Sequence, residues 1–277
     1  MIARDLTDQR TILIRQEDHA DLSSQFASHW GNERVAAPAR YESVVTAAAF
    51  HDTHFRDIEI DLPIDREQGR PYGHRNLPFA PHHLDALRQN IAWLKRSDRY
   101  AALLVSMHHT GLLQNRYGVI NSWQNDYGKS PKVRPLRPEV AVTLSDLEKE
   151  QRVEIEYLEA HASQSEDEIR RNYRLMQVFD LLSLYLCCDG YGDGDEMKQV
   201  TLGPIAAADA PNQELTLIVV PTGANRLRFD PYPFAFGPLQ VSVAARVVNR
   251  LAGSSEADCR TEYLRAPRER LSWTITN

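Results

Sequence analysis

The stretch "VVTAAAFHDTHF", residues 44–55, runs small and apolar residues directly into an adjacent histidine and aspartate. Burying an unsatisfied carboxylate or imidazole costs several kcal/mol, or the group gives up its charge. His51 falls three, four and seven residues after Ala48, Ala47 and Val44, so a helix over about 41–55 turns it inward with them. A polar pair in that position needs partners from elsewhere in the chain.

Upstream, "MIAR" and "TILIRQ" read as a strand pair within residues 1–16. A helix follows over about 18–30, with His19, Leu22, Ser23, Phe26 and Trp30 on one face. Downstream, residues 57–81 lack periodicity and read as a loop. Two helices come next, "HHLDALRQNIAWLKRS" from His82 and "RYAALLVSMHHTGLL" from Arg99. Residues 114–143 are polar and read as a loop, a candidate lid. Ser145 with Glu148, and Ser165 with Glu168, are capping boxes that should each open a helix. The second, about 165–188, carries Asp180 on a stripe with Ile169, Tyr173, Met176, Leu184 and Cys187. Beyond residue 198 the period becomes strand-like in "ELTLIVVP", "RLRFDPYPF" and "LQVSVAARVV". The expected fold is mainly α: a helical domain over 1–197 that includes the hairpin, and a β-rich extension over 198–277 packed on it.

Composition narrows the functions. The 277 residues are 42% hydrophobic and 25% charged, with a net charge of −6, which gives no basic field for nucleic acid. No segment approaches the ~18 apolar residues of a spanning helix, and the start lacks a signal-type apolar core. A cytoplasmic protein without a membrane partner is expected. Cys187, Cys188 and Cys259 form no CxxC pair, so a thiolate zinc site is not expected. Asp189, Asp193 and Asp195 miss the spacing of a calcium loop. Trp30 and Trp93 read as core anchors, and Glu148, Glu150, Glu154 and Glu156 as one exposed helix face.

Three predicted helices thus place metal-ligand residue types on apolar faces: His19, the His51-Asp52 pair and Asp180. The His108-His109 pair lies on a fourth. Eight of the ten histidines lie at position 19 or between 51 and 109. This order resembles the HD-domain superfamily of metal-dependent phosphohydrolases. "AAAFHDTHF" is similar to its run into the HD doublet, "QVFDLLSLYL" to the helix of its final aspartate, and "SMHHTGLL" to its paired histidines. The "WG" after the first helix and the "SMHHTGLL" segment also resemble an uncharacterised bacterial branch. The likeness covers about residues 10–190. It departs where His54 follows "HDT", a position at which many members continue with glycine and lysine.

The resemblance implies an HD-like bundle with His19, His51, Asp52 and Asp180 as ligands of one divalent ion. His83 and His108 would extend the set to six; both are chosen over their neighbours because they share a face with Leu87 and Ile91, and with Tyr100 and Leu104. Asp52, His108 and His109 are the expected catalytic groups, and Arg15, His54, Arg56 and Lys129 the expected contacts to a small anionic substrate. Without thiolate, the ligands suit Mn, Fe, Co, Ni or Mg, as one or two ions. The implied activity is hydrolysis of a small phosphoester or nucleotide through metal-activated water. Two other readings stand beside it: a di-iron oxygenase cleaving a small anionic substrate with dioxygen, and a non-catalytic ligand-binding protein on the same fold. The strands of the tail have edges that either a second copy of the chain or the helical part must cover. Taken singly, Asp180 could instead pair with Arg174, and each arginine could be an ordinary surface residue.

Overall fold

A computed structural model describes residues 1–6, 8–114, 120–121, 136–189, 197–210 and 212–277. Lys129, most of the candidate lid and most of "DGYGDGDE" lie outside them. The chain opens with strands β1 (Ile2–Asp5) and β2 (Arg10–Ile14), then helices α1 (Gln16–Ala27), α2 (Tyr41–Phe50) and α3 (Phe55–Asp61). The small hairpin β3 (Ile64–Asp65) and β4 (Arg70–Pro71) precedes α4 (His82–Lys95) and α5 (Arg99–Leu113). Strand β5 (Ile120–Asn121) and the long helices α6 (Pro138–Ala162) and α7 (Glu166–Asp189) follow. The chain continues through β6 (Val200–Ala206), β7 (Glu214–Gly223), β8 (Arg226–Asp230) and β9 (Leu239–Asn249), then α8 (Glu256–Arg265) and β10 (Arg268–Thr276).

The expectation of a mainly helical bundle is overturned. Among the described residues helix accounts for 47% and strand for 24%, with a large mixed sheet curled into a half-barrel. Its order is β1-β2-β9-β10-β8-β7-β6-β5, the last strand being only two residues long. Neighbours are antiparallel except β10 and β8. The reason lies in strand alternation. Leu239, Val241, Val243 and Ala245 of β9, and Leu271, Trp273 and Ile275 of β10, are buried on one face. That face is half of the core, with Leu22 and Phe26 of α1 and Phe179 and Leu182 of α7 in the same apolar cluster.

Helix α1 packs on β9 and α7 on β6 and β1; α2 and α5 pack against α1 and α7, and α4 and α6 against α5. Residues on both sides of position 198 therefore share one core, and the N-terminal hairpin joins the tail where β2 pairs with β9. The loop after α3 is pinned to this frame at Gly69, whose φ is +64° and where a Cβ would overlap the backbone of Leu251 and Ala252.

Several local expectations shift. Helix α2 ends at Phe50, so His51 and Asp52 occupy the turn into α3. Helix α6 opens at Pro138, not at Ser145, since proline suits the first helical turn. Ser165 does cap α7, its Oγ accepting from the Glu168 N–H at 3.2 Å. Trp30 is buried against Phe179 and Phe234, whereas Trp93 is a surface residue edge-on to Phe50. Glu154 is buried, clasped by Arg99 and Lys95.

Candidate metal centre

Four elements bring the cluster together. His19 lies in the second turn of α1, His51 and Asp52 follow α2, His108 and His109 sit near the end of α5, and Asp180 is mid-way along α7. All six are buried. His19 Nε2 is 2.9 Å from Asp180 Oδ1 and 3.8 Å from Asp52 Oδ2. His51 Nε2 is 3.4 Å from Asp180 Oδ1 and 3.6 Å from Asp52 Oδ2. The two Nε2 atoms are 3.3 Å apart. Arg174, the other partner considered for Asp180, pairs with Glu214 instead.

The hydrogen bonds behind the rings fix their protons. His51 Nδ1 lies 2.8 Å from the Ala48 carbonyl, which only accepts, so Nδ1–H donates to it. Behind His19, Nδ1 is 2.7 Å from Ser183 Oγ, and that hydroxyl is 2.9 Å from the Asp180 carbonyl. When Ser183 Oγ–H donates to that carbonyl, His19 Nδ1–H donates to Ser183 Oγ. Both Nε2 atoms then present lone pairs to each other and to two carboxylate oxygens. Four acceptor atoms then converge, and a dication with nitrogen and oxygen ligands would fit them.

The electrostatics agree. Burial alone would lower the His51 pKa, but the charge of Asp52 and the Asp180 hydrogen bond raise it to about 9. Without a metal, the protonated form of His51 is thus the favoured one near neutrality. Burial would raise Asp180, yet its close contacts with the His19 and His51 imidazoles hold it well below the usual carboxylate range. Burial, with repulsion from the neighbouring imidazoles, holds His108 and His54 well below the ordinary histidine value. Burial likewise lowers His109. Neutral imidazoles are the form that ligates metals.

Ligand-type atoms within 4.8 Å of one another define three groups: His19, His51 and Asp52; His51, His108 and Asp180; and Asp52, His54 and His109. The first two overlap at one position, and the third lies on the other side of Asp52. There His109 Nε2–H donates to the His51 carbonyl at 2.8 Å, and His54 Nδ1 is buried with no partner among the described residues.

His54, expected to touch substrate, thus belongs with the ligand types. His83, expected as a ligand, is in none of the groups. It is half-buried in the first turn of α4 beside His82 and Phe79, where that helix packs on α5 through residues further along. Arg15 pairs with Glu17 at 2.7 Å and with Glu59 at 3.4 Å, and the exposed Arg56 pairs with Glu17 at 2.9 Å. Both guanidiniums are thus paired with carboxylates, Arg15 half-buried and Arg56 on the surface. Unforeseen in the sequence were Ser23 and Ser183, and Gln16, whose Nε2–H donates to Asp52 Oδ2 at 3.0 Å. A signal existed: Ser23 follows His19 by four residues and Ser183 follows Asp180 by three, one helical turn in each case.

Fold and site define a mixed α/β protein with a buried imidazole–carboxylate cluster of metal-ligand type in its helical layers. The chain belongs to the DUF3891 family, described as a protein of unknown function, whose match spans residues 1–250. No curated protein and no solved structure matches it.

Proposed function

We propose that this chain is a metal-dependent hydrolase of a small phosphoester or nucleotide, with its ion held by His19, His51, Asp52 and Asp180. The observation that supports the reading is the convergence of lone pairs from two imidazoles and two carboxylates, with both outer Nδ1–H groups already committed. A dication there supplies acidified water and offsets charge on a phosphoryl group. The chain's own residues orient and exclude. Asp52 turns Oδ2 to the first group and Oδ1 to His109, 3.9 Å away. His108, buried and held neutral, suits a further imidazole ligand beside His51 and Asp180. With Arg15 and Arg56 engaged by Glu17 and Glu59, the substrate's charge falls to the ion itself.

The group formed by Asp52, His54 and His109 favours a second reading, in which these residues would hold an iron beside that of the first group, and the irons would supply dioxygen chemistry for cleaving the substrate. Elemental mass spectrometry of freshly purified protein separates the readings, with Asp52→Ala alongside. About one Mn, Co, Ni or Mg per chain, lost in the variant, together with turnover of a phosphoester panel, supports the hydrolase. About two irons per chain moves the oxidative reading to first place. No bound metal, and none taken up on addition, sinks both and leaves a binding protein.

A further inference from the structure

Ser183 and Ser23 stand behind the cluster on α7 and α1, both fully buried. A helical serine bonding to a carbonyl one turn back is ordinary, and Ser183 does so with Asp180 at 2.9 Å. Its other contacts are not ordinary. The same oxygen lies 2.7 Å from His19 Nδ1 and 2.8 Å from Ser23 Oγ. Ser23 also lies 3.3 Å from the His19 carbonyl, the longer of its two options. One arrangement leaves His19 Nε2 free to hold a cation: Ser23 Oγ–H donates to Ser183, His19 Nδ1–H donates to Ser183, and Ser183 Oγ–H donates to the Asp180 carbonyl. The reverse arrangement, Ser183 Oγ–H donating to His19 Nδ1, would put the ring hydrogen on Nε2, 2.9 Å from Asp180 Oδ1, and leave no lone pair there for a cation.

We infer that Ser183, supported by Ser23, is the positioning residue that fixes the His19 tautomer and so aims its Nε2 lone pair at the cation position. His51 achieves the same result directly, through Ala48. Ser183 differs in that it ties the imidazole of one ligand to the backbone of another, so α1 and α7 are registered to each other at the site. The oxygen is neutral, so it orients His19 without adding a third carboxylate to the cluster. The inference rests on the metal reading of the site.

The test uses full-length protein with 15N-labelled histidine, wild type and Ser183→Ala, Ser183→Thr and Ser23→Ala. Long-range 1H–15N correlation of the chelator-treated protein reads whether His19 Nδ1 carries a proton, and chelator competition reads divalent-metal affinity. The expected wild-type result is a protonated, slowly exchanging Nδ1–H on His19. In Ser183→Ala that proton exchanges freely and metal affinity falls about 10- to 100-fold, the usual effect of losing such a partner. Ser183→Thr, which keeps the hydroxyl, restores both; Ser23→Ala gives a smaller loss. An unprotonated His19 Nδ1 in the wild type overturns the inference without any variant, even should Ser183→Ala fail to fold. So does Ser183→Ala binding metal as tightly as wild type. If the wild type binds no divalent ion, the proposed function falls, while the tautomer result still decides the role of Ser183.

Discussion

Asp52 faces two groups of imidazoles at once, and the residues around it divide by their protons. His51 binds its proton more tightly in the fold than in the open chain, with a pKa raised from 6.5 to about 9. Its contribution to stability is complete below pH 6.5 and is lost as pH rises through about 9. His54, His108 and His109 are depressed, so theirs is complete above pH 6.5 and is lost as pH falls below it. Chelator-treated protein should therefore melt highest near neutrality and lose stability on both flanks, more steeply on the acid side. Adding the divalent ion should flatten the alkaline flank, because the ion replaces the His51 proton. Thermal melts from pH 5 to 10 with and without metal check this; an unchanged alkaline flank would mean that the ion does not bind at His51. A companion experiment compares ligands: His54→Ala should lower metal stoichiometry or affinity, and His83→Ala should leave both as in wild type. The doublet itself was legible in sequence, because its apolar approach is so pronounced. His54 was not, because α2 stops at Phe50 and the helical spacing used to place side chains no longer holds beyond it.

Helices could be read from periodicity, and their ends only where the cap chemistry was unambiguous. Ser165 and Ser145 carry the same Ser-x-x-Glu signature, yet one caps a helix and the other lies inside one. Pro138, which opens α6 two turns before Ser145, is the signal that outranks the box. Substitution exposes the difference. Ser165→Ala should cost about 1 kcal/mol in urea unfolding by removing an N-cap acceptor. Ser145→Ala, in the exposed interior of α6, should be neutral or stabilising by about 0.5 kcal/mol, since alanine is the better helix former. Equal losses from the two would refute the assignment of the α6 start. Glu154 shows the opposite failure: its charged neighbours suggest a solvated face, but Arg99 and Lys95 hold it inward, and that pairing comes from residues more than fifty positions away.

At the scale of the molecule, the strands of the tail were legible and their weight was not. Each run alternates clearly, but the pairing of β2 with β9 joins the two ends of the chain, and no local pattern reports a contact over that separation. A helical domain ending at residue 197 would leave β2 unpaired on that side and the apolar inner faces of α1 and α7 in water. A chain truncated after residue 197 should therefore be unfolded or insoluble, whereas residues 1–277 give one cooperative transition by calorimetry. A folded, metal-binding 1–197 fragment would restore the two-domain reading.

The register that sets Arg10 opposite Asn249 also bears on how the protein is made. A ribosome releases His19, His51, Asp52 and Asp180 well before it has synthesised β9 and β10. Throughout that interval, the strand leading into α1 has no neighbour on its inner side. The nascent chain thus carries every proposed ligand in solvent while the wall behind them is missing. Closure of the core awaits β9 and β10, so a cation held by these residues would enter only once those strands are in place.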